Sequence, residues 1–342
     1  MKSDSPRVVC VGANLESEIA LRGLLAIGAN IVGLVTVPPR ESASGISDYV
    51  DLHSLCAANS IVTVDTEDIN APETLAEIAV LEPDYIFTLG WSQLFGTDLL
   101  RLPHRFVLGS HPSPLPEGRG RAPVPWTILQ GHTRSAVTIF RMDVGVDSGA
   151  ILCQRWFDVP PRAYAMDVYQ LVATNLRDGY AELYQAFADG RAVPEMPQDI
   201  SRATHRAKRT PAEGHLDFTR PAVEIDALVR AVAQPYPGAY TYFDGRKIEI
   251  WRTSLDDVPP YVGVHGQILA KRKGRALVQA GDAPLWLSEF TSDSQPVSLK
   301  EFPLNTRFGF RIEDELFRLR QEIESLREQV STACDASGLI RN

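Results

Sequence analysis

Apolar and polar positions change their spacing along this chain in a way that divides it. Arg7–Val11 is a short apolar run ending at Gly12, and Glu16–Ile27 then carries apolar residues at helical spacing. Ile31–Val37 is β-branched and continuous, the pattern of a strand buried on both faces. Pro38–Gly45 reads as a loop and Asp48–Ala58 as a second helix. Ile61–Val64, Tyr85–Leu89 and Phe106–Gly109 read as further strands with helices between them. Strands alternating with helices imply parallel βαβ units with right-handed crossovers, so the fold class is α/β with an open, Rossmann-like, mostly parallel sheet. Ala136–Phe140 and Ala150–Trp156 add two strand candidates, and a long helix from about Ala165 to Gly190 completes a first domain over residues 1–190.

The pattern then shifts. Residues 191–220 hold prolines and the basic cluster Arg202, His205, Arg206, Lys208 and Arg209, which reads as a solvated linker. After a short helix over Ala222–Ala233 come short strands with turn signals: Gly238–Phe243, Lys247–Arg252, Gly266–Ala270, Ala276–Ala280 and Ala283–Leu287, with Asp244-Gly245 as a hairpin turn. Strands of that length and spacing predict a small OB-like domain over 221–305. Residues 306–342 form a helix and tail. Ile312, Leu316, Leu319, Ile323, Leu326 and Val330 recur at steps of 4, 3, 4, 3 and 4, a heptad seam. This helix either oligomerises, assisting another dimer interface, or packs back onto its own domain.

Composition narrows the class of protein. The 342 residues carry 34 Lys+Arg against 43 Asp+Glu, a net charge of −9, which disfavours broad non-specific nucleic-acid binding. No apolar run reaches the roughly 18–20 residues of a membrane helix, and the first residues lack a signal-peptide core, so a soluble, cytoplasmic protein is expected. Cys10, Cys56, Cys153 and Cys334 are far apart and form no CxxC pair, which favours neither a disulfide framework nor a zinc site; no metal is expected. The first βα turn, VGANLES, lacks GxGxxG, and no P-loop motif occurs, so the sheet is not expected to use NAD or ATP.

The chemistry concentrates in FVLGSHPSPLPEGRGRAPVPWTILQGHTRSAVTIFRMDVGVDSGAIL. His111 follows a strand directly and precedes a proline-rich turn, which places it at the carboxyl edge where open α/β sheets gather ligands. Asp147 stands in a glycine-flanked loop between two strands and either forms a turn or reaches that same edge. A His–Asp pair in a cleft suits proton transfer, because the carboxylate orients the imidazole and stabilises its charged form.

HPSPLP, GRGRAP and RMDVGVDSGAIL together resemble the folate-dependent formyltransferase superfamily, and the likeness extends to about Phe290. RGRAPVPW and KRTPAEGHLDF are most similar to its members that formylate an amino sugar on a nucleotide carrier. The resemblance implies 10-formyltetrahydrofolate as cosubstrate and an acceptor amine that attacks its formyl carbon. His111 would then stabilise the resulting oxyanion or take the amine proton, and Asp147 would orient His111 or relay a proton. The family usually has an Asn two residues before this His as a second oxyanion donor. Here the position is Gly109, which leaves Ser110, Ser92, Gln93 or a backbone N–H as candidate substitutes.

The resemblance also implies that the pterin lies along Gly90, Trp91, Ser92, Gln93 and Leu94 and along Asp143, Val144, Gly145 and Val146. Trp91 alternatively packs at the edge of the core. On the acceptor side, Arg119 and Arg121 flank Gly120 beside the catalytic turn and suit phosphate contact, with Pro114 and Tyr236 as further acceptor-binding candidates. Tyr240 and Tyr242 either stack a base or pack the small domain. The implied activity is sugar-nucleotide N-formylation, typically feeding surface polysaccharide or lipopolysaccharide. The partners expected are a small sugar-nucleotide acceptor and a second copy of the chain, as a homodimer, with neither a membrane nor a nucleic acid. The rival readings are tRNA formylation, acceptor-independent formyltetrahydrofolate hydrolysis, and a folate-binding protein with a degraded site.

Overall fold

A computed structural model describes residues 5–39, 48–309 and 312–337. The chain divides into two compact units, the first running through Gly214 and including Ala227–Gly238, the second comprising His215–Asp226 and Ala239 onward.

The first unit is built on β1 (Val8–Gly12), β2 (Ile31–Thr36), β3 (Val62–Asp65), β4 (Tyr85–Gly90) and β5 (Phe106–His111). Neighbours among these pair in parallel, in the order β3-β2-β1-β4-β5. Their connecting helices are α1 (Leu15–Ala26), α2 (His53–Ala58), α3 (Pro72–Val80) and α4 (Thr97–Arg101). The chain then forms β6 (Arg119–Gly120), α5 (Pro123–Leu129), β7 (Arg134–Arg141) and β8 (Ile151–Asp158), and β7 and β8 extend the sheet antiparallel beyond β5. The strand order reverses its direction of growth between β1 and β4, so the crevice at their carboxyl ends is the topological switch point.

Burial on both faces explains the near-continuous apolar strands: all five residues of β1 and the first five of β4 are buried. The helix α6 (Ala165–Ala188) closes one face with Val168, Tyr169, Val172, Leu176, Tyr180 and Leu183. Its Tyr180 hydroxyl donates to the Thr88 carbonyl at 2.7 Å, which fixes the helix against the active end of β4.

Three expectations are corrected. Helix α2 spans only His53–Ala58, because Asp51 turns its carboxylate onto the His53 amide and ring and starts the helix there rather than at Asp48. Strand β5 runs through His111 instead of ending at Gly109, since Ser110 and His111 still pair with Ile139 and Thr138. The segment expected as a linker over 191–220 belongs to the first unit as far as Gly214: Met196 bridges to Ile151, and β9 (His205–Arg206) pairs in parallel with β6. Most of the expected Pro38–Gly45 loop lies outside the described residues.

Helix α7 (Ala222–Val232) divides between the two units. The strands of the second are β10 (Ala239–Phe243), β11 (Arg246–Ser254), β12 (Ile268–Arg272), β13 (Arg275–Gln279), β14 (Pro284–Ser292) and β15 (Gln295–Pro296). They form an antiparallel sheet ordered β10-β11-β14-β13-β12, with β15 on β14. Residues 305–309 bond to both of its edges: Ile268 donates to Thr306, and Gly309 donates to Tyr242. Phe218, Phe243, Phe290, Phe302 and Phe308 pack together within. Tyr240 and Tyr242 pack around His215 in this unit. The helix α8 (Ile312–Ser337) follows.

Candidate active site

A cavity of about 750 Å³ opens at the carboxyl ends of β1, β4 and β5, within the 300–1,000 Å³ range of small-molecule sites. Gly109, Ser110 and His111 enter it from β5, Gly90 to Phe95 from the end of β4, and Ala13, Asn14 and Glu16 from the first βα turn. Gly120 and Arg121 come from the end of β6, and Gly145, Val146 and Asp147 from the loop between β7 and β8.

His111 is 5% exposed. Its Nε2 lies 2.8 Å from the Gly118 carbonyl oxygen, which only accepts, so Nε2 carries a proton. In the neutral ring the lone pair is therefore on Nδ1, which stands 3.7 Å from Asp147 Oδ2. That separation exceeds a hydrogen bond and leaves Nδ1 open. Burial pushes the imidazole below its ordinary pKa; Asp147 and the Gly118 carbonyl pull it back up, and Arg206 lowers it again. The ring is thus neutral at pH 7, with an available base nitrogen whose protonated form meets a waiting carboxylate.

Asp147 is held firmly in its loop. It takes a left-handed backbone conformation, φ 51°, which Asp tolerates better than most residues. Its Oδ2 accepts from the Gly120 amide at 2.9 Å. Gln198 Nε2 donates to the carbonyls of Asp147 and Gly149 at 2.9 and 2.8 Å, clamping the loop from both sides of Ser148. Gly120 itself, at φ 105°, leaves no room for a Cβ, which would lie 2.4 Å from the Arg206 carbonyl oxygen.

The glycine two residues before His111 has a steric explanation. A Cβ on Gly109 would sit 2.8 Å from Met142 Cγ and 2.9 Å from Phe140 Cζ, so the space of an Asn side chain is filled. Met142 Sδ also accepts a hydrogen bond from Thr88 Oγ1. Two candidate substitutes are engaged elsewhere: Ser110 Oγ donates to the Thr88 carbonyl, and Gln93 bonds to Glu67 and Ile69.

Among the folate-side residues, Gly90, Trp91, Ser92, Gln93, Leu94, Gly145 and Val146 line the cavity. Asp143 and Val144 stand outside its wall; Asp143 accepts from the Gly145 amide and Ser148 Oγ, and Val144 faces solvent. Trp91 Nε1 is buried without a hydrogen-bond partner. On the acceptor side Gly120, Arg121 and Tyr236 line the cavity, whereas Pro114 does not. Arg119 is buried and spends its guanidinium on Gln198 Oε1 at 2.7 and 3.2 Å, outside the wall.

Residues that pattern reading passed over complete the site. Asn14 caps α1 by accepting from the Ser17 amide and lines the cavity. Glu16 and Tyr169 also line it; the Tyr169 hydroxyl donates to Asp48 and accepts from the Glu16 amide. Burial, helped by Asp48, pushes the Glu16 carboxyl up to about 8, and burial pushes Asp48 up to about 6. Burial and Asp48 together thus favour the protonated form of Glu16 beside the cavity. The Asn14 cap has a local signal, an Asn just ahead of a helical run. Gln198 and Arg206 have none, because their contacts with the site are tertiary.

Comparison with known proteins places these units. Residues 22–183 match the family described as formyl transferase, and residues 208–305 match formyl transferase, C-terminal domain. The methionyl-tRNA formyltransferase of Caldanaerobacter subterraneus subsp. tengcongensis is 27% identical over 303 residues, 86% of this chain and 96% of that protein. Among solved structures, an N-formyltransferase from Helicobacter canadensis in complex with folinic acid and dTDP-3-aminofucose superimposes with a TM-score of 0.60 at 15% identity, covering 84% of this chain and 100% of that one. HypX from Aquifex aeolicus in complex with tetrahydrofolic acid gives a TM-score of 0.63 at 16% identity over 86% of this chain; this chain spans only 46% of HypX. With both family domains matched in order on one chain, the protein belongs to the formyl transferase family.

Proposed function

We propose that this enzyme moves the formyl group of 10-formyltetrahydrofolate to the primary amine of a nucleotide-linked amino sugar. The observation that carries the transfer chemistry is His111 Nδ1, open and 3.7 Å from Asp147, on the wall of a cavity of folate-compatible size. Trp91 lines that wall while packing against the core beneath it, an apolar surface suited to a pterin ring. Backbone groups at Gly90–Leu94 and Gly145–Val146 would hold the pterin. When bound, the folate supplies an activated formyl group. His111 Nδ1 accepts the proton that the attacking amine must lose, Asp147 stabilises the imidazolium so formed, and His111 returns that proton to N10 as the formyl C–N10 bond breaks and tetrahydrofolate leaves. An amino-sugar amine is already partly neutral near pH 7–8, so holding it in line contributes more than generating a nucleophile.

Arg121 supports a phosphate-bearing acceptor. It is exposed at the cavity rim, beside the turn that follows His111, and has no carboxylate partner among the described residues. The relative from Helicobacter canadensis, solved with a dTDP-linked amino sugar, is consistent with that reading. The identity with a methionyl-tRNA formyltransferase favours a second reading, tRNA as acceptor. Against it stands the fate of the basic cluster: Arg202 pairs with Glu117, Arg206 donates to Pro123 and Gln130, and Arg209 lies over Trp126. The test compares an amino sugar free and nucleotide-linked, with wild type and Arg121→Ala. The proposal expects the linked acceptor to be preferred and that preference to fall in the variant. Equal use of both acceptors, unchanged by the substitution, contradicts it.

A further inference from the structure

Helix α8 carries its apolar seam uncovered. Ile312, Leu316, Leu319, Ile323, Leu326 and Val330 are between 47% and 62% exposed. A 26-residue helix is about 39 Å long, and the seam runs through most of it. The alternative, that this helix packs its seam back onto its own domain, therefore fails for the described residues.

The heptad register says what fits the seam. Leu316, Ile323 and Val330 fall at a, and Ile312, Leu319, Leu326 and Ala333 at d. Two of the three a residues are β-branched and leucine occupies two d positions, a distribution that favours two parallel strands over higher orders. The flanking charges choose the orientation. Glu315 and Glu322 occupy g, while Arg320 and Arg327 occupy e. In a parallel pair, each g residue meets the e residue of the following heptad on the other helix. Glu315 then meets the partner subunit's Arg320, and Glu322 meets the partner subunit's Arg327, each twice by two-fold symmetry. An antiparallel pair would set Glu against Glu and Arg against Arg. Glu315 now bridges Arg318 on its own helix at 2.5 Å, with Arg318 56% and Glu315 20% exposed, and in the pair it exchanges this intrahelical partner for one of the same charge.

We propose that α8 pairs with α8 of a second copy of this chain as a parallel, in-register, two-stranded coiled coil. The assignment is independent of the acceptor and of the chemistry in the cavity.

The test uses the full chain at micromolar concentration, with mass measured by light scattering after gel filtration. One variant, Arg320→Glu/Arg327→Glu, makes all four of these e and g positions acidic; the other, Glu315→Arg/Glu322→Arg, makes them basic. Arg320, Glu322 and Arg327 are exposed and Glu315 is partly exposed, and far-UV circular dichroism of each variant checks that the rest stays folded. Wild type is expected at twice 37.7 kDa, each variant alone at half the wild-type mass, and an equimolar mixture of the two back at the wild-type mass. A monomeric wild type, variants that stay dimeric, or a mixture that stays monomeric would each overturn the proposal.

Discussion

Gly109 offers the sharpest perturbation of the site. Replacing it with Asn restores the side chain that the family resemblance expects, in a place the structure has filled. The new Cβ would lie 2.8 Å from Met142 Cγ, 2.9 Å from Phe140 Cζ and 3.2 Å from Met142 Sδ. Real Cβ contacts do not approach that closely, so Met142 must move and give up its bond from Thr88 Oγ1. Overpacking of this kind costs about 1–3 kcal/mol. At about 2–4 °C per kcal/mol for a unit of this size, the melting temperature of Gly109→Asn falls by roughly 2–12 °C. Shortening the obstructing residue should release the strain. In the Met142→Ala background, Gly109→Asn costs at least about 1 kcal/mol less than in wild type, a coupling that a double-mutant cycle reads directly. There the introduced amide can also face the transferred group, and kcat should rise over Met142→Ala toward the roughly 10²–10³-fold of one oxyanion donor. The assay is thermal unfolding of the four proteins together with steady-state formyl transfer. A Gly109→Asn protein as stable as wild type would refute the steric argument. A double variant no faster than Met142→Ala would show that position 109 does not face the developing charge.

Three further outcomes follow from the site. Because burial holds His111 below its ordinary pKa, kcat/KM should stay flat from neutral pH down past 6.5 and fall only below it, as Nδ1 is protonated; a limb at or above 6.5 would contradict the assignment. Gln198→Ala removes both clamps on the Asp147 loop and should lower kcat while leaving far-UV circular dichroism unchanged, with about 1–3 kcal/mol lost on unfolding; an unaltered kcat would remove Gln198 from the positioning of Asp147. Glu16, raised to about 8, favours the folded state in its protonated form, so that stability is fully present below the unfolded carboxylate pKa and lost as pH rises through 8. Thermal unfolding of Glu16→Gln against wild type should therefore show the variant gaining on wild type as pH rises from about 5 to beyond 8, whereas parallel curves would mean that Glu16 is ionised throughout.

The strands of the first unit announce themselves because burial on both faces demands unbroken apolar runs, as in Ile31–Val37. His111 and Asp147 were legible because each sits at a strand end or in a glycine-flanked turn within one continuous motif. Gln198 was not, and Arg206 read only as part of a solvated cluster. Both act through the pairing of β6 with β9 and of Met196 with Ile151, contacts between segments far apart in the chain. Arg119 misled for a related reason: an arginine beside a glycine turn looks exposed, yet Gln198 receives it in the interior. Gly109 stood out as an omission, and only the packing of Met142 and Phe140 explains it. The first part of the expected helix over Asp48–Ala58 is absent because an Asx contact at Asp51 competes with the helix, which a period count does not register.

The central claim is tested most directly by giving the purified enzyme 10-formyltetrahydrofolate and, in one vessel, dTDP-, UDP- and GDP-linked amino sugars with initiator methionyl-tRNA, then reading every acceptor by mass spectrometry. One nucleotide sugar is expected to gain a single formyl group, and this gain to disappear in His111→Ala. Formylation of the tRNA alone, or release of formate without any acceptor, would contradict it.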